Sequence, residues 1–372
     1  MKRCDVIVLG GGIIGCALAE ELSRRGRRVV VLERGAIGAE ASTAAAGILS
    51  AQMDIPRPGP FFDLCHRSRR MYPGWVRHLE QSSGLDLGFH VDGILYLAAT
   101  EREADAMEAR ARWQRRLGLR VERWTSREVR RREPAVDGRF RCAFHFPTEA
   151  QVDNVRLMRA LAVAARKAGV TLRERTAVQR VLVRGGRVAG VVTARGRLAA
   201  PVVINCLGSW ANMGGVFPVS LPVEPARGQM LAFRGPKRLV RRVVMSERAY
   251  VVQRRDGRLL VGSTIERAGF EKALTLEGMH AILCGLRRMS TALASCPFLE
   301  AWAGFRPVTP DGLPILGATP IEGLHVATGH FRHGILLAPV TATLMAELIL
   351  RGRPSFDVAP FSIWRFQRGT CS

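Results

Sequence analysis

The residues of this chain that are best placed to do chemistry are three glycines and one acid near its start. Gly10, Gly12 and Gly15 follow an apolar run, and Glu33 ends a second apolar run. In a strand–turn–helix unit, such glycines permit the tight turn, the close approach of a pyrophosphate and the packing of helix on strand. The helix N-terminus attracts phosphate, and Glu33 can accept a hydrogen bond from a ribose hydroxyl while repelling a 2′-phosphate. The spacing therefore predicts a site for FAD or NAD rather than NADP; a purely structural glycine turn is the alternative.

A second candidate is the segment of small residues at 39–49. Small side chains let the backbone lie against a flat ligand; the alternative is an ordinary helix start capped by Ser42. The eight cysteines form no CxxC pair and have no zinc-like spacing with histidine, so we expect buried thiols and no metal site. The sequence offers no obvious Ser-His-Asp arrangement or carboxylate pair. Hydride transfer to a bound cofactor requires neither, because the cofactor carries that chemistry.

The elements that must position these residues follow from the apolar patterns along the chain. Helices are predicted at 101–117, 153–168 and 335–350. Strands are predicted at 177–183, 188–192, 201–208, 229–233, 250–253, 258–262 and 324–328. Gly185 and Gly186 form the hairpin turn between the first two of these strands. The buried run at 201–208 is typical of a central strand that returns to the nucleotide domain.

These patterns predict an α/β fold with a discontinuous nucleotide-binding domain and a second, antiparallel-sheet domain over the cofactor. We expect the first domain to comprise residues 1–88, 150–218 and 300–372. The second, substrate-binding domain would comprise residues 89–149 and 219–299. A chain of 372 residues is long for one domain, which agrees with this division.

The formal net charge of +24 is unusual for a metabolic enzyme, and 52 of the 56 basic residues are arginines. Arginine is spread along the whole chain, with a denser stretch at 110–141 that Leu, Val and Glu interrupt. We interpret it as a solvated face; functional polyanion binding is the alternative, and weak non-specific attraction to nucleic acid is expected in both cases. No run of 18 uncharged apolar residues appears, so we expect no membrane span and a mature, cytoplasmic protein.

Several segments together resemble the D-amino-acid-oxidase-like FAD oxidoreductases, and among them the glycine oxidases of thiamine biosynthesis. The most specific is the run 329–339, GHFRHGILLAP, in which the family usually has Asn at the position of His333. Supporting segments are 44–47, 225–229, 262–266, 304–307 and 311–312. The resemblance covers nearly the whole chain. It implies FAD rather than NAD, a glutathione-reductase-type Rossmann-like domain, and often a homotetramer.

The resemblance also assigns cofactor contacts. With the glycines above, it places these residues at FAD: Ile13, Ile14, Glu33, Arg34, Ala41, Ser42, Ala46, Gly47, Ile48, Val178, Gly208, His330, Phe331, Arg332, His333, Gly334, Ile335 and Leu336. The last helix, which begins near Gly334, would turn its positive end to the flavin and favour the reduced, anionic state. Some relatives attach flavin through a cysteine, but none lies between Cys296 and Cys371, so a non-covalent FAD is expected.

By the same resemblance, Arg306 binds the substrate carboxylate and Tyr250 assists it. A planar guanidinium suits a carboxylate because it offers a fork of donors. Arg332 would contact the flavin or the substrate, with a structural role at the helix end as the alternative. For Tyr250, packing of its amphipathic ring is the alternative.

Two departures from the family pattern leave the substrate open. Arg248 stands where the glycine oxidases have a histidine, and Ile265 replaces a methionine near the substrate. The expected activity is oxidation of glycine or another small amino acid by O₂, with release of H₂O₂. A D-amino-acid dehydrogenase, a sarcosine-type oxidase and a tRNA-directed flavoprotein are the alternatives.

Overall fold

The computed structural model describes residues 4–366, which fold around two large β-sheets. The strands are β1 (Val6–Leu9), β2 (Val29–Leu32), β3 (Ile48–Leu49), β4 (Ile94–Ala98), β5 (Glu122–Trp124), β6 (Cys142–Phe146), β7 (Ala150–Gln151), β8 (Thr171–Arg173), β9 (Val178–Arg184), β10 (Arg187–Thr193), β11 (Gly196–Ala199), β12 (Val202–Asn205), β13 (Glu224–Arg234), β14 (Val243–Met245), β15 (Tyr250–Gln253), β16 (Arg258–Gly262), β17 (Phe298–Val308), β18 (Ile315–Ala318) and β19 (Leu324–Thr328). The helices are α1 (Ile13–Arg24), α2 (Ala41–Ala44), α3 (Pro60–Ser83), α4 (Glu101–Arg116), α5 (Ser126–Arg132), α6 (Asn154–Lys167), α7 (Leu276–Met289) and α8 (Gly334–Arg351).

The first sheet has six strands in the order β18-β19-β12-β1-β2-β8. All neighbours are parallel except β18 and β19, and β1 aligns Val6 with Val29 on one side and with Val202 on the other. Strands β1 and β2 are buried on both faces, which is why they consist of Val, Ile and Leu alone. Helices α1, α3, α6 and α8 cover one face, and the small sheet β11-β10-β9 covers the other.

Helix α8 is the most apolar helix of this domain, and it carries a proline in its interior. Pro339 has no N–H, so the carbonyl of Ile335 loses its helical partner. The hydroxyl of Tyr72 donates to that carbonyl at 2.5 Å, and the hydroxyl of Ser68 donates to the next one, of Leu336, at 2.6 Å. By length and composition α8 could cross a membrane; in this fold it is mostly buried and packs against α1 and α3.

The second sheet has eight strands in the order β17-β13-β16-β15-β14-β4-β6-β5. Most neighbouring strands are antiparallel; β14 and β4 run parallel. Helix α7 packs on one face of this sheet, next to β13, β15 and β16. The other face turns toward the first domain.

The predicted α/β fold with two sheet domains is confirmed. Strands at 250–253, 258–262 and 324–328 have the predicted bounds, and both hairpin glycines have positive φ. Strand β17 runs unbroken from Phe298 to Val308 in the second sheet, across the domain boundary that was expected at residue 300. We therefore propose that the last domain boundary lies near residue 308 rather than 300.

Candidate functional site

A cavity of about 390 Å³ lies between the two sheets. Its lining runs from the turn between β1 and α1, along residues 41–48, to the turn between β19 and α8. The opposite wall belongs to the second sheet and includes Tyr250 and Arg306. The chain thus brings its two ends and its middle to one cleft, as a discontinuous nucleotide domain requires.

The turn after β1 forms one end of the cavity. A Cβ on Gly10, whose φ is +100°, would lie 2.5 Å from the carbonyl oxygen of Cys206, so only glycine fits there. The hydroxyl of Ser42 accepts a hydrogen bond from the N–H of Ile13 at 2.9 Å. The N–H groups of Gly12 and Ile14 have no acceptor among residues 4–366, which leaves donors free at the start of α1. This geometry suits a diphosphate.

Glu33 and Arg34 lie beside that turn. The Glu33 carboxylate accepts hydrogen bonds from the N–H of Gly11 at 2.8 Å and of Gly35 at 2.7 Å. Each oxygen keeps a lone pair for a further donor, such as a ribose hydroxyl. The Arg34 guanidinium lies 3.9 Å above the ring of Trp210 and 3.4 Å from Glu40. The predicted cofactor residues Val178 and Gly208 also line this end of the cavity.

Helix α8 begins at the other end of the cavity. Its first residues, Gly334 and Ile335, line the cavity, and their N–H groups have no acceptor within the described part of the chain. Burial lowers the pKa of His330 to about 3 and that of His333 to about 4, so both imidazoles are neutral at physiological pH. His330 shares a hydrogen bond of 3.1 Å with the hydroxyl of Thr341. Neither ring nitrogen of His333 has a partner among the described residues, and its ring contacts the edge of Phe61.

On the opposite wall, three neighbouring strands place Met230, Gly262 and Tyr250 in one row. Gly262 pairs with Met230 of β13 on one side and with Tyr250 of β15 on the other. A Cβ on Gly262 would lie 2.7 Å from the Tyr250 hydroxyl. The absence of that side chain lets the phenol reach across the strand and donate to the Met230 sulfur at 3.1 Å.

Arg306 of β17 lies in the same wall. A Cβ on Gly228 of β13 would lie 2.1 Å from its Nη1, so this glycine makes room for the guanidinium. Nη1 donates to the carbonyl of Thr264 at 3.0 Å, and Nη2 donates to the hydroxyl of Ser263 at 2.6 Å. No carboxylate forms a salt bridge with Arg306 in the described residues, and burial lowers its pKa. A half-buried cation without a counter-ion is a natural anchor for an anionic ligand.

Arg332 lies at the more open side of the cavity. Its guanidinium is 3.9 Å from the carboxylate of Asp54, which also lines the cavity, and it packs over the ring of Phe331. Phe331 itself has a φ of +45°, and its N–H donates to the carbonyl of Pro307 at 2.9 Å. This bond joins the turn before α8 to the strand that carries Arg306.

Nearly all residues predicted for the site line this cavity, including Ala41, Ser42, Ala46, Gly47 and Ile48. Gly15 and Leu336 do not. A Cβ on Gly15 would lie 2.1 Å from the carbonyl oxygen of Gly10, so this glycine serves the packing of helix on turn. Leu336 turns into the core around α8.

Several residues that shape the site were not predicted from the sequence. Ser263 and the Thr264 carbonyl hold Arg306, whereas Gly228 and Gly262 make room for the two side chains of the wall. Glycine in a strand often marks the close approach of another group, and this signal could have identified Gly262, the last residue of the predicted strand 258–262. Gly228 precedes the predicted strand 229–233, so the same signal did not mark it. No such signal marked Asn154, Arg254 and Trp302, whose side chains donate hydrogen bonds to the backbone of residues 42–46.

A family model described as DAO, FAD dependent oxidoreductase, matches residues 5–348. The chain belongs to this family. Membership makes the dinucleotide FAD, and the free N–H donors at the starts of α1 and α8, at opposite ends of the cavity, fit a diphosphate and a flavin.

Within this family, the glycine oxidase of Geobacillus kaustophilus is 36% identical over 368 residues, which cover 98% of this chain and 97% of that protein. Its crystal structure matches with a TM-score of 0.94 and 35% identity over 98% of this chain and 99% of that one. The bifunctional protein ThiO/ThiG of Trichormus variabilis is 37% identical over 369 residues. That match covers 98% of this chain and 55% of the relative, so the chain spans about half the length of the bifunctional protein.

Proposed function

We propose that this protein is an FAD-dependent oxidase of glycine and other small amino acids, which reduces O₂ to H₂O₂ and serves thiazole formation in thiamine biosynthesis. The observation that carries the proposal is the half-buried guanidinium of Arg306, which has no carboxylate partner among residues 4–366 and shares a cavity with the dinucleotide turn. The similarity to glycine oxidase and to ThiO/ThiG proteins along nearly the whole chain supports the substrate and the pathway.

Bound FAD would supply the redox chemistry, taking a hydride from the carbon that bears the amine and passing two electrons to O₂. Glycine and O₂ then give the imine and H₂O₂, and water converts the imine to the 2-oxo acid and ammonia. The protein has to bind, orient and deprotonate the substrate.

Arg306 of β17 binds the substrate carboxylate in this proposal, and Tyr250 adds a hydroxyl donor from β15, three strands along in the same sheet. Arg332, at the open side, would contact the carboxylate or the flavin. Two guanidinium groups in one cavity disfavour a cationic ammonium, so they promote loss of its proton to solvent. The neutral amine is the form from which a hydride can leave.

The residues proposed to hold FAD are those of the turn after β1, Glu33 and Arg34, segment 41–48, Val178, Gly208 and the turn before α8. The start of α1 would bind the diphosphate, and the start of α8 would stabilise negative charge on the reduced flavin. His330 and His333 are neutral there, so they add no positive charge. Since no cysteine lies between Cys296 and Cys371, we propose that the cofactor is held non-covalently.

The substrate pocket is proposed to favour small amino acids. Met230, Met245 and Ile265 line the cavity together with Tyr250, and they leave little polar surface for a long side chain. Arg248 lines the same cavity in an exposed position, where it could meet a substrate that carries a second acidic group.

We further propose a cytoplasmic, homo-oligomeric enzyme without a specific nucleic-acid partner. The seven cysteines of the described residues are all free, as in a reducing compartment. The oligomer, a tetramer by resemblance, is testable by light scattering. Tight tRNA binding without turnover of free glycine would favour the tRNA-directed alternative.

The direct test is oxygen consumption by the purified protein with glycine, sarcosine and D-alanine, with H₂O₂ measured in parallel. The proposal expects one H₂O₂ for each O₂ consumed. Reduction of an artificial dye with little peroxide would instead favour a dehydrogenase.

A further inference from the structure

The guanidinium of Arg254 is buried at the contact between the two domains. Arg254 follows β15, in the turn to β16, and only 6% of its surface is exposed. Nη1 donates to the carbonyl of Val152 at 2.9 Å and to the side-chain oxygen of Gln151 at 3.3 Å. Nη2 donates to the carbonyl of Ala46 and to the side-chain oxygen of Asn154, both at 2.9 Å. None of these four acceptors is a carboxylate.

The bond to Ala46 fixes the orientation of one peptide beside the cofactor. In a planar trans peptide the C=O and the following N–H point in opposite directions. Because Arg254 holds the Ala46 oxygen on the side away from the cavity, the Gly47 N–H points to the other side. That N–H and the N–H of Ala46 have no acceptor among residues 4–366, and both residues line the cavity.

The local backbone alone does not select this orientation. Gly47 has a φ of +66°, and glycine adopts positive and negative φ with similar ease. A rotated Ala46–Gly47 peptide would direct a carbonyl at the cofactor in place of an N–H. The hydrogen bond from Arg254 to the Ala46 carbonyl therefore determines the orientation of this peptide, which Gly47 itself does not.

Asn154 makes similar hydrogen bonds to the backbone of the preceding residues. Its Nδ2 donates to the carbonyls of Ser42 and Thr43 at 2.8 and 3.0 Å, while its Oδ1 accepts from Arg254. The indole N–H of Trp302 donates to the carbonyl of Ala44 at 2.9 Å. Four carbonyls of segment 42–46, all except that of Ala45, thus accept hydrogen bonds from these three side chains.

We propose that Arg254, supported by Asn154, is a positioning residue that orients the Ala46–Gly47 peptide so that its N–H faces the flavin. The inference rests on the placement of FAD along residues 41–48 proposed above. An N–H donor there stabilises the negative charge of the reduced cofactor more than it stabilises the neutral oxidised form. Arg254 thereby raises both FAD affinity and the midpoint potential, although it touches neither cofactor nor substrate.

The test compares Arg254→Met and Arg254→Lys with wild type and with Arg255→Met. Arg255 is the next residue in the same turn, but it bonds to His90 and Asp86 at the surface, so it is a matched control. Three quantities are measured on folded protein: the FAD dissociation constant, the midpoint potential and the visible flavin spectrum.

We expect Arg254→Met to bind FAD about tenfold more weakly, since a buried carbonyl loses its donor and a donor to the cofactor is lost. Its potential should be more negative, and Arg254→Lys should lie between it and wild type. If Arg254→Met does not fold, Asn154→Ala replaces it, with smaller shifts in the same directions.

A lower melting temperature with unchanged FAD affinity, spectrum and potential would overturn the inference and leave Arg254 a purely structural residue. A wild-type protein that binds no FAD, or binds it and does not oxidise glycine, would contradict the proposed function instead. The two failures are therefore distinguishable.

Discussion

Replacing Arg306 should separate substrate binding from cofactor binding. The perturbation is Arg306→Leu, which removes a half-buried guanidinium that lines the cavity and makes two hydrogen bonds to protein oxygens. Loss of one partner of a hydrogen-bonded charge pair that is buried in the complex costs about 2–5 kcal/mol, so we expect KM for glycine to rise roughly 30- to 4,000-fold. Arg306→Lys keeps the charge but loses the fork of donors, and a rise of about tenfold is expected.

The assay is steady-state oxygen consumption over a range of glycine concentrations, with FAD affinity followed by flavin fluorescence. FAD affinity should change little, because Arg306 belongs to the opposite wall. A small amine without a carboxylate serves as control, since its weak turnover should be the same in all three proteins. An unchanged KM for glycine in Arg306→Leu would show that Arg306 does not bind the substrate carboxylate and that other residues do.

Three further outcomes follow from the same geometry. Tyr250→Phe removes one hydroxyl donor, so KM for glycine should rise about 2- to 10-fold with the flavin spectrum unchanged; a larger loss in kcat than in KM would argue for a role in the chemical step. Ser42→Ala removes the acceptor of the Ile13 N–H, which should weaken FAD binding by about 2- to 10-fold in fluorescence titrations; affinity equal to wild type would show that this contact does not order the diphosphate turn. Burial raises the pKa of Glu149 to about 8 from a usual 4.5, so between these values only the folded state holds the proton and stability falls as pH rises. The free energy of unfolding should fall by at most roughly 5 kcal/mol for this reason. Urea unfolding at pH 5 and pH 8 should show this fall in wild type but not in Glu149→Gln, and an equal fall in both proteins would contradict the prediction.

The nucleotide half of the site could be predicted because its signals are local in sequence. Gly10, Gly12 and Glu33 lie within one strand–turn–helix–strand unit, where spacing determines geometry. Strands β15 and β16 were predicted with correct bounds because their apolar runs are short and bounded by turn residues.

The contacts that hold the segment beside the cofactor could not be predicted, because they join residues about 100 to 260 positions apart. Arg254 is one of 52 arginines, and nothing in its neighbourhood distinguishes it from Arg255. Its role follows only when the fold places it against Ala46 and Asn154. The same holds for Trp302, whose indole bonds to Ala44.

The full extent of β17 depends on contacts of the same long-range kind. A domain boundary was expected at residue 300, whereas β17 stays paired with β13 through Val308. Register across a sheet is a long-range property, and local turn signals do not determine it.

One cavity is proposed to hold FAD on one wall and to bind a small zwitterion through Arg306 on the opposite wall. Anaerobic addition of glycine to the purified, FAD-loaded protein tests it most directly, with the flavin absorbance near 450 nm as the readout. We expect the flavin absorbance near 450 nm to disappear when glycine is added and to return when air is admitted, with release of H₂O₂. A folded protein that takes up no added FAD, or whose bound flavin stays oxidised at saturating glycine, would contradict it.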